Sequence, residues 1–290
     1  MIEEQHGRID YDEHGAGPTI ILVPGSCSTG AAWRPVIAGW NDEFRCVTTS
    51  LLGYGGTAER RTASDASIAH EAEILESVIR RAGGGVHLVG HSFGGLAALA
   101  VALRNRVPLA SLVIAEAPAV SVLSDPEERQ HRYAFAQMTR EYFTALADGD
   151  MEAIATMIDF YGGAGTFASW PPRVRSYAVE TTPVNILDWA SADGFDLSAV
   201  SLAALEIPAL VIVGGSSHPA VRRANELVSE RINGAIFATV EGSAHFMIST
   251  HAQRVAQLIA EHVRCAETAR DTRTIAVRPL PAAYGMHSSS

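Results

Sequence analysis

The chain has 290 residues, 47% of them hydrophobic and 19% charged, and a formal net charge of −10. That length accommodates one large α/β domain or a domain with a sizeable insertion. The acidic balance argues against nucleic acid or an anionic membrane as the main partner, because both recruit clustered Lys and Arg, and no apolar stretch reaches the roughly 20 residues of a membrane span.

The opening MIEEQHGRID is acidic and has no apolar h-region, so no secretory signal and a cytoplasmic protein are expected. Two short stretches, Glu3–His6 and Ile9–Glu13, are expected to form an antiparallel edge hairpin. Apolar runs then alternate with helix-period segments, the pattern of a mostly parallel twisted sheet with helices on both faces. Strands are predicted over Thr19–Val23, Arg45–Thr49, Val86–Val89, Ser111–Ala115, Ala209–Val213 and Ala235–Val240. Helices are predicted over Ser67–Ala82, Gly94–Arg104, Pro219–Glu230 and Ser249–Val263, with Asp65 or Ser67 as N-cap of the first. Cys27, Cys46 and Cys265 are odd in number and widely spaced. They fit neither a disulfide framework nor a zinc site, and reduced thiols are expected.

The alternation breaks between 118 and 207. Helical patterns at Pro126–Ala147, Met151–Phe160, Val174–Val179 and Ile186–Ala190 follow one another there, rich in aromatics such as Phe135, Tyr161, Trp170 and Trp189. A short crossover helix would suffice to join two parallel strands, so this insertion is expected to form a helical cap over a ligand cavity, although ordinary core packing would use the same residues. The expected organisation is therefore a core from 1–117 and 208–266, a cap from 118–207 and a loosely ordered tail from 267–290.

The strongest chemical signal is VHLVGHSFGGLAALA, residues 86–100, where a predicted strand runs through Gly90-His91-Ser92-Phe93-Gly94 into an Ala/Leu-rich helix. This is G-x-S-x-G in the strand–turn–helix setting that makes it a nucleophile elbow. A serine forced into a strained turn needs small residues two positions before and after it, and the turn raises its hydroxyl at a helix N-terminus that favours negative charge. Elsewhere, Gly25 and Gly30 have Walker spacing, but Ala31 and Ala32 stand where Lys and Ser/Thr are required, which argues against nucleotide binding. The glycines of Leu52-Gly53-Tyr54-Gly55-Gly56 read as a turn.

With its leading hairpin, elbow, helical insertion and late histidine, the stretch from Ile9 to Val263 resembles the α/β-hydrolase fold family, in particular its serine hydrolase branch. The resemblance implies Ser92 as nucleophile. It implies His245, in VEGSAHFMI, as its base, and the backbone amides of Phe93 and Ser26 as oxyanion donors. His91 is expected to point elsewhere, as a packing residue. Many relatives have His-Gly where this chain has Pro24-Gly25, and most carry an acid after the strand read as Ala209–Val213, whereas Gly214-Gly215-Ser216-Ser217-His218 holds none. Some members place the acid one strand earlier. Glu116 stands there, at the end of LASLVIAEAPA, and is expected to orient His245. A structural ion pair at Glu116, a dyad helped by Ser217 or His218, and an acid from the insertion such as Asp188 or Asp193 stay open.

The resemblance implies hydrolysis through an acyl-enzyme with no metal or organic cofactor, and the aromatic, mostly apolar insertion suggests a small hydrophobic or aromatic carboxylic ester or lactone; a monomer or homodimer is expected. His218, Trp170, Trp189 and Tyr161 are candidate substrate contacts. Alternatives on the same residues are carbon–carbon bond (diketone) hydrolysis, peptide or amide cleavage and cofactor-free perhydrolysis; a non-catalytic ligand receptor is the alternative of a different class. Dehalogenase and epoxide hydrolase branches are disfavoured, because they carry Asp at the elbow.

Overall fold

The computed structural model describes residues 1–4 and 7–276, without the side chains of Glu4 and of residues 273–276. Its centre is a seven-stranded sheet in the order β3-β5-β4-β6-β7-β8-β9, formed by β3 Asp12–His14, β4 Thr19–Val23, β5 Arg45–Thr48, β6 Val86–His91, β7 Leu109–Ala115, β8 Ala209–Gly214 and β9 Ile236–Val240. Only β3 is antiparallel to its neighbour. β1 Ile2–Glu4 and β2 Gly7–Ile9 pair with each other in a separate two-stranded sheet. The expected edge hairpin is thus corrected. The two stretches do not form one edge, His6 lies outside the described residues, and the edge strand of the main sheet is Asp12–His14, an entirely exposed tripeptide with no apolar pattern to betray it.

The helices are α1 Arg34–Ile37, α2 Ala69–Ala82, α3 Phe93–Arg104, α4 Arg129–Ala147, α5 Ile154–Gly162, α6 Thr166–Ser169, α7 Pro172–Glu180, α8 Thr182–Asp193, α9 Ala199–Ala203, α10 Pro219–Arg231, α11 Met247–Thr250 and α12 Ala252–Ala276. The central strands are apolar throughout because both faces are covered. Ile21, Val23, Leu88, Ile114 and Val211 belong to a core shared with α2, α3, α10 and the α4–α8 insertion. Their neighbours Ile20, Leu22, Val89, Val113 and Ile212 point the other way, onto α1, α11 and α12. Each such buried Leu, Ile or Val contributes about 1.5–3 kcal/mol to folding. Ser67 Oγ accepts from the Ala69 amide ahead of α2, while Asp65 pairs with His70.

The predicted final helix is also corrected. It is split at His251, and its second part continues beyond Val263 to Ala276, so residues 267–276 of the expected tail are helical; the tail from 277 onward lies outside the described residues. Everything between β7 and β8 is helical or connecting segment, with no strand, as read from the sequence. Among the described residues no helix is long and apolar enough to cross a membrane.

Candidate active site

Three adjacent strand exits and one loop assemble the site. β6 and β7 run in register to His91↔Ala115, so Ser92 and Glu116 leave neighbouring strands side by side. Both turn with positive φ, 54° at Ser92 and 50° at Glu116, in the left-handed region that L side chains avoid. Each nevertheless stays tied to the next strand. The Ser92 amide donates to the Ala115 carbonyl at 2.8 Å and the Glu116 amide to the Ile212 carbonyl at 3.1 Å. The two elbow glycines are steric necessities. A Cβ at Gly90 would collide with the Gly94 carbonyl, and one at Gly94 with the Pro24 carbonyl oxygen.

Glu116 is fully buried and both carboxylate oxygens are engaged. Oε1 accepts from the Gly214 amide at 2.6 Å, and Oε2 accepts from His245 Nδ1 at 2.7 Å. The loop after β8 therefore supplies an amide rather than an acid. It also fastens the histidine loop, through Gly215 N to Val240 O and Ser216 N to Ser243 O. Since a carboxylate accepts from Nδ1, the proton sits there and His245 Nε2 is left with a lone pair. Neither Nε2 nor Ser92 Oγ has a protein hydrogen-bond partner among the described residues, and both residues line one cavity of about 1010 Å³. The backbone amides of Phe93, first in α3, and of Ser26 likewise have no protein acceptor there.

His91 is corrected. It lines the cavity beside His245, with ring centroids 4.7 Å apart, and its Nε2 donates to the His245 carbonyl at 2.9 Å. Complete burial, helped by the neighbouring imidazole, pushes its pKa down to about 3, so it is a neutral strut for the histidine loop. Only the three-dimensional path of residues 240–246 reveals that role.

Tyr161, Trp170 and Trp189, all from the insertion, line the cavity. The Tyr161 ring lies 4.4 Å from His245, and its buried hydroxyl has no hydrogen-bond partner among the described residues. Burial first, and then the Glu116 charge, push that phenol well above its usual range. His218 does not line the cavity. It caps α10 by accepting from the Ala220 amide and stacks on Phe160 at 4.2 Å. Its expected contact with substrate is withdrawn, because the capping bond holds its ring at the start of α10.

The other groups weighed as helpers of His245 are occupied elsewhere or set apart. Ser217 is buried, its hydroxyl has no partner among the described residues, and it makes no bond to the histidine. Asp193 ends α8 outside the cavity lining. Asp188 does line the cavity, yet its carboxylate is taken by Ser26, Tyr54 and Arg61, at 2.5, 2.6 and 2.8 Å. Cys27 also lines the cavity, with φ of 55°, and burial pushes its thiol up to about 12. It is a poor nucleophile.

The profile of the alpha/beta hydrolase family matches residues 20–258. The chain belongs to this family. Among curated relatives, haloalkane dehalogenase 2 of Mycobacterium tuberculosis is 31% identical over 104 residues, 36% of this chain and 36% of that protein. The pimeloyl-[acyl-carrier protein] methyl ester esterase of Vibrio cholerae is 33% identical over 105 residues, 36% of this chain and 39% of that protein. The chain thus matches well under half the length of these relatives. It superposes on a thermophilic esterase from Thermogutta terrifontis with a TM-score of 0.72 and 23% identity, covering 89% of this chain and 93% of that one. This likeness shows the shared α/β-hydrolase fold.

Proposed function

We propose that the chain is a serine hydrolase that cleaves a small hydrophobic or aromatic carboxylic ester or lactone through an acyl-enzyme. The observation that carries the reading is the 2.7 Å bond from His245 Nδ1 to Glu116 Oε2, with Ser92 on the same cavity at the head of α3. Glu116 holds the imidazole with Nε2 unprotonated, the form that takes the Ser92 proton as Oγ attacks the acyl carbon. The resulting imidazolium is stabilised by the carboxylate. The amides of Phe93 and Ser26 receive the oxyanion, and the α3 N-terminus favours the same charge. His245 then protonates the leaving alkoxide. A water molecule, deprotonated by the same nitrogen, attacks the acyl carbon, and the Ser92 oxygen leaves with that proton.

The substrate class is supported by the lining of Tyr161, Trp170, Trp189, Met157 and Ile158, which favours apolar groups of modest size. The helices of 118–207 act in this reading as a cap, since they carry that aromatic lining. Serine at the elbow sets the chain apart from the aspartate branches of the fold. Unpaired Cys27, Cys46 and Cys265 support a reducing, cytoplasmic setting.

The test is turnover of p-nitrophenyl esters of graded chain length and of lactones, alongside labelling by a fluorophosphonate. Labelling of Ser92 that disappears in His245→Ala, with esters hydrolysed by the native chain and not by Ser92→Ala, is the expected result. Failure of Ser92 to react with probe and esters alike would overturn the reading and favour a ligand receptor.

A further inference from the structure

One buried carboxylate on the cavity wall has no part in the chemistry above. Asp188 is 2% exposed, sits on α8 of the insertion and lies 162 residues from Ser26 in sequence. Resting on the reading of Ser92 as nucleophile, we propose that Asp188 is a positioning residue. It holds the Ser26 hydroxyl so that the amide of the same residue faces the developing oxyanion, and fast acyl transfer then requires a seated insertion.

The carboxylate is fully committed. Oδ2 accepts from Ser26 Oγ at 2.5 Å and from Tyr54 at 2.6 Å, while Oδ1 accepts from Arg61 at 2.8 Å. It has little capacity left for a substrate and none is directed at His245. Its three donors come from three different core segments: the loop after β4, the turn after β5 and the segment leading to α2. Arg61 extends the tie to Glu59 at 2.8 Å and to Glu71 of α2 at 3.2 Å. A single side chain of the insertion therefore fixes the loop that carries the second oxyanion donor.

That loop needs fixing. Cys27, next to Ser26, holds a left-handed backbone without being glycine, a conformation that persists only where its surroundings enforce it. Asp188 is the hydrogen-bond partner of the Ser26 hydroxyl, whereas the Ser26 amide has no protein acceptor among the described residues. Seating the insertion by itself would not require a buried anion. Trp189 and Ala192 of the same helix already pack into the apolar core, and well-packed apolar groups commonly stabilise as well as a buried ion pair does. Hydrogen bonds add direction, which an oxyanion donor requires. A lone carboxylate beside that donor would oppose the charge forming there, and Arg61 on the far oxygen offsets it.

The experiment is a double-mutant cycle of Ser26→Ala and Asp188→Asn, read as kcat and KM on p-nitrophenyl butyrate, with melting temperature as the control for folding. Each single variant is expected to lose about tenfold or more in kcat with KM moved less than twofold, and the double variant to fall no further than the weaker single one. Losses that multiply, or a Ser26→Ala enzyme within twofold of the native kcat, would overturn the proposal. Should Asp188→Asn fail to fold, Ser26→Ala decides alone by the same split. If the native chain turns over no ester and Ser92 takes no fluorophosphonate, the functional reading fails instead. Amide exchange across residues 24–30 then judges the tie: faster exchange in Ser26→Ala keeps it, and unchanged exchange removes it.

Discussion

Replacing Glu116 by glutamine changes one oxygen to an amide nitrogen in a site where both oxygens accept. The new side chain has two orientations. With its carbonyl toward Gly214, the amide donates to His245 Nδ1, the ring proton moves to Nε2 and the base is lost. With its carbonyl toward Nδ1, an NH2 group faces the Gly214 amide across a gap that now holds a 2.6 Å hydrogen bond. Leaving the buried Gly214 amide unsatisfied costs about 1–3 kcal/mol, so the inactive tautomer prevails. The imidazolium also loses its anion, worth roughly 3 kcal/mol at an effective dielectric near 20. The sum, about 4–6 kcal/mol, corresponds to a fall in kcat on the order of 10³–10⁴. Initial rates on the best p-nitrophenyl ester, with circular dichroism to verify folding, measure it. A folded Glu116→Gln enzyme within tenfold of the native rate would refute the argument and remove Glu116 from the site.

His91 keeps its ring neutral when folded, with a pKa of about 3 against an ordinary 6.5, so only the unfolded chain takes up a proton as pH falls through that window. Its contribution is complete above pH 6.5 and declines below it, by about 2 kcal/mol at pH 5 relative to pH 8; urea unfolding should show a shallower pH dependence in His91→Gln, and identical slopes would refute the burial argument. Tyr161→Phe removes a buried hydroxyl without a partner and is expected to stabilise the empty protein by about 1 kcal/mol, a rise of roughly 2–4 °C in Tm; a lower Tm would mean the hydroxyl is satisfied. Iodoacetamide at pH 8 should alkylate exposed Cys265 and spare Cys27, whose thiol burial pushes up to about 12, and mass spectrometry of the digest decides.

The parallel core could be read from sequence because strands buried on both faces are unbroken apolar runs. Thr19–Val23 has the predicted ends, and Ala209–Gly214 differs from its prediction by one residue. β3 escaped because Asp12–His14 buries nothing and is held only by its ladder with β5. The length of α12 escaped for a related reason, since over residues 267–272 the helix leaves the core and loses the apolar stripe that periodicity detects. At the site, Ser92 announced itself through local glycines, and Glu116 through the oddity of a charge ending an apolar strand. The partners of Asp188 left no comparable trace. Ser26, Tyr54 and Arg61 lie 162, 134 and 127 residues away, and a buried network assembled over such separations has no local spacing to recognise.

Because Ser92 and Glu116 each retain a ladder hydrogen bond at the moment the chain turns, both are carried by the central sheet. Displacement of the helices above them would leave the distance between these two backbones unaltered. In the proposed function, adaptation to bulkier acyl groups is therefore open to residues 118–207 without retuning the spacing of Ser92 and Glu116, which suits the chain to selection for altered specificity by changes confined to that segment.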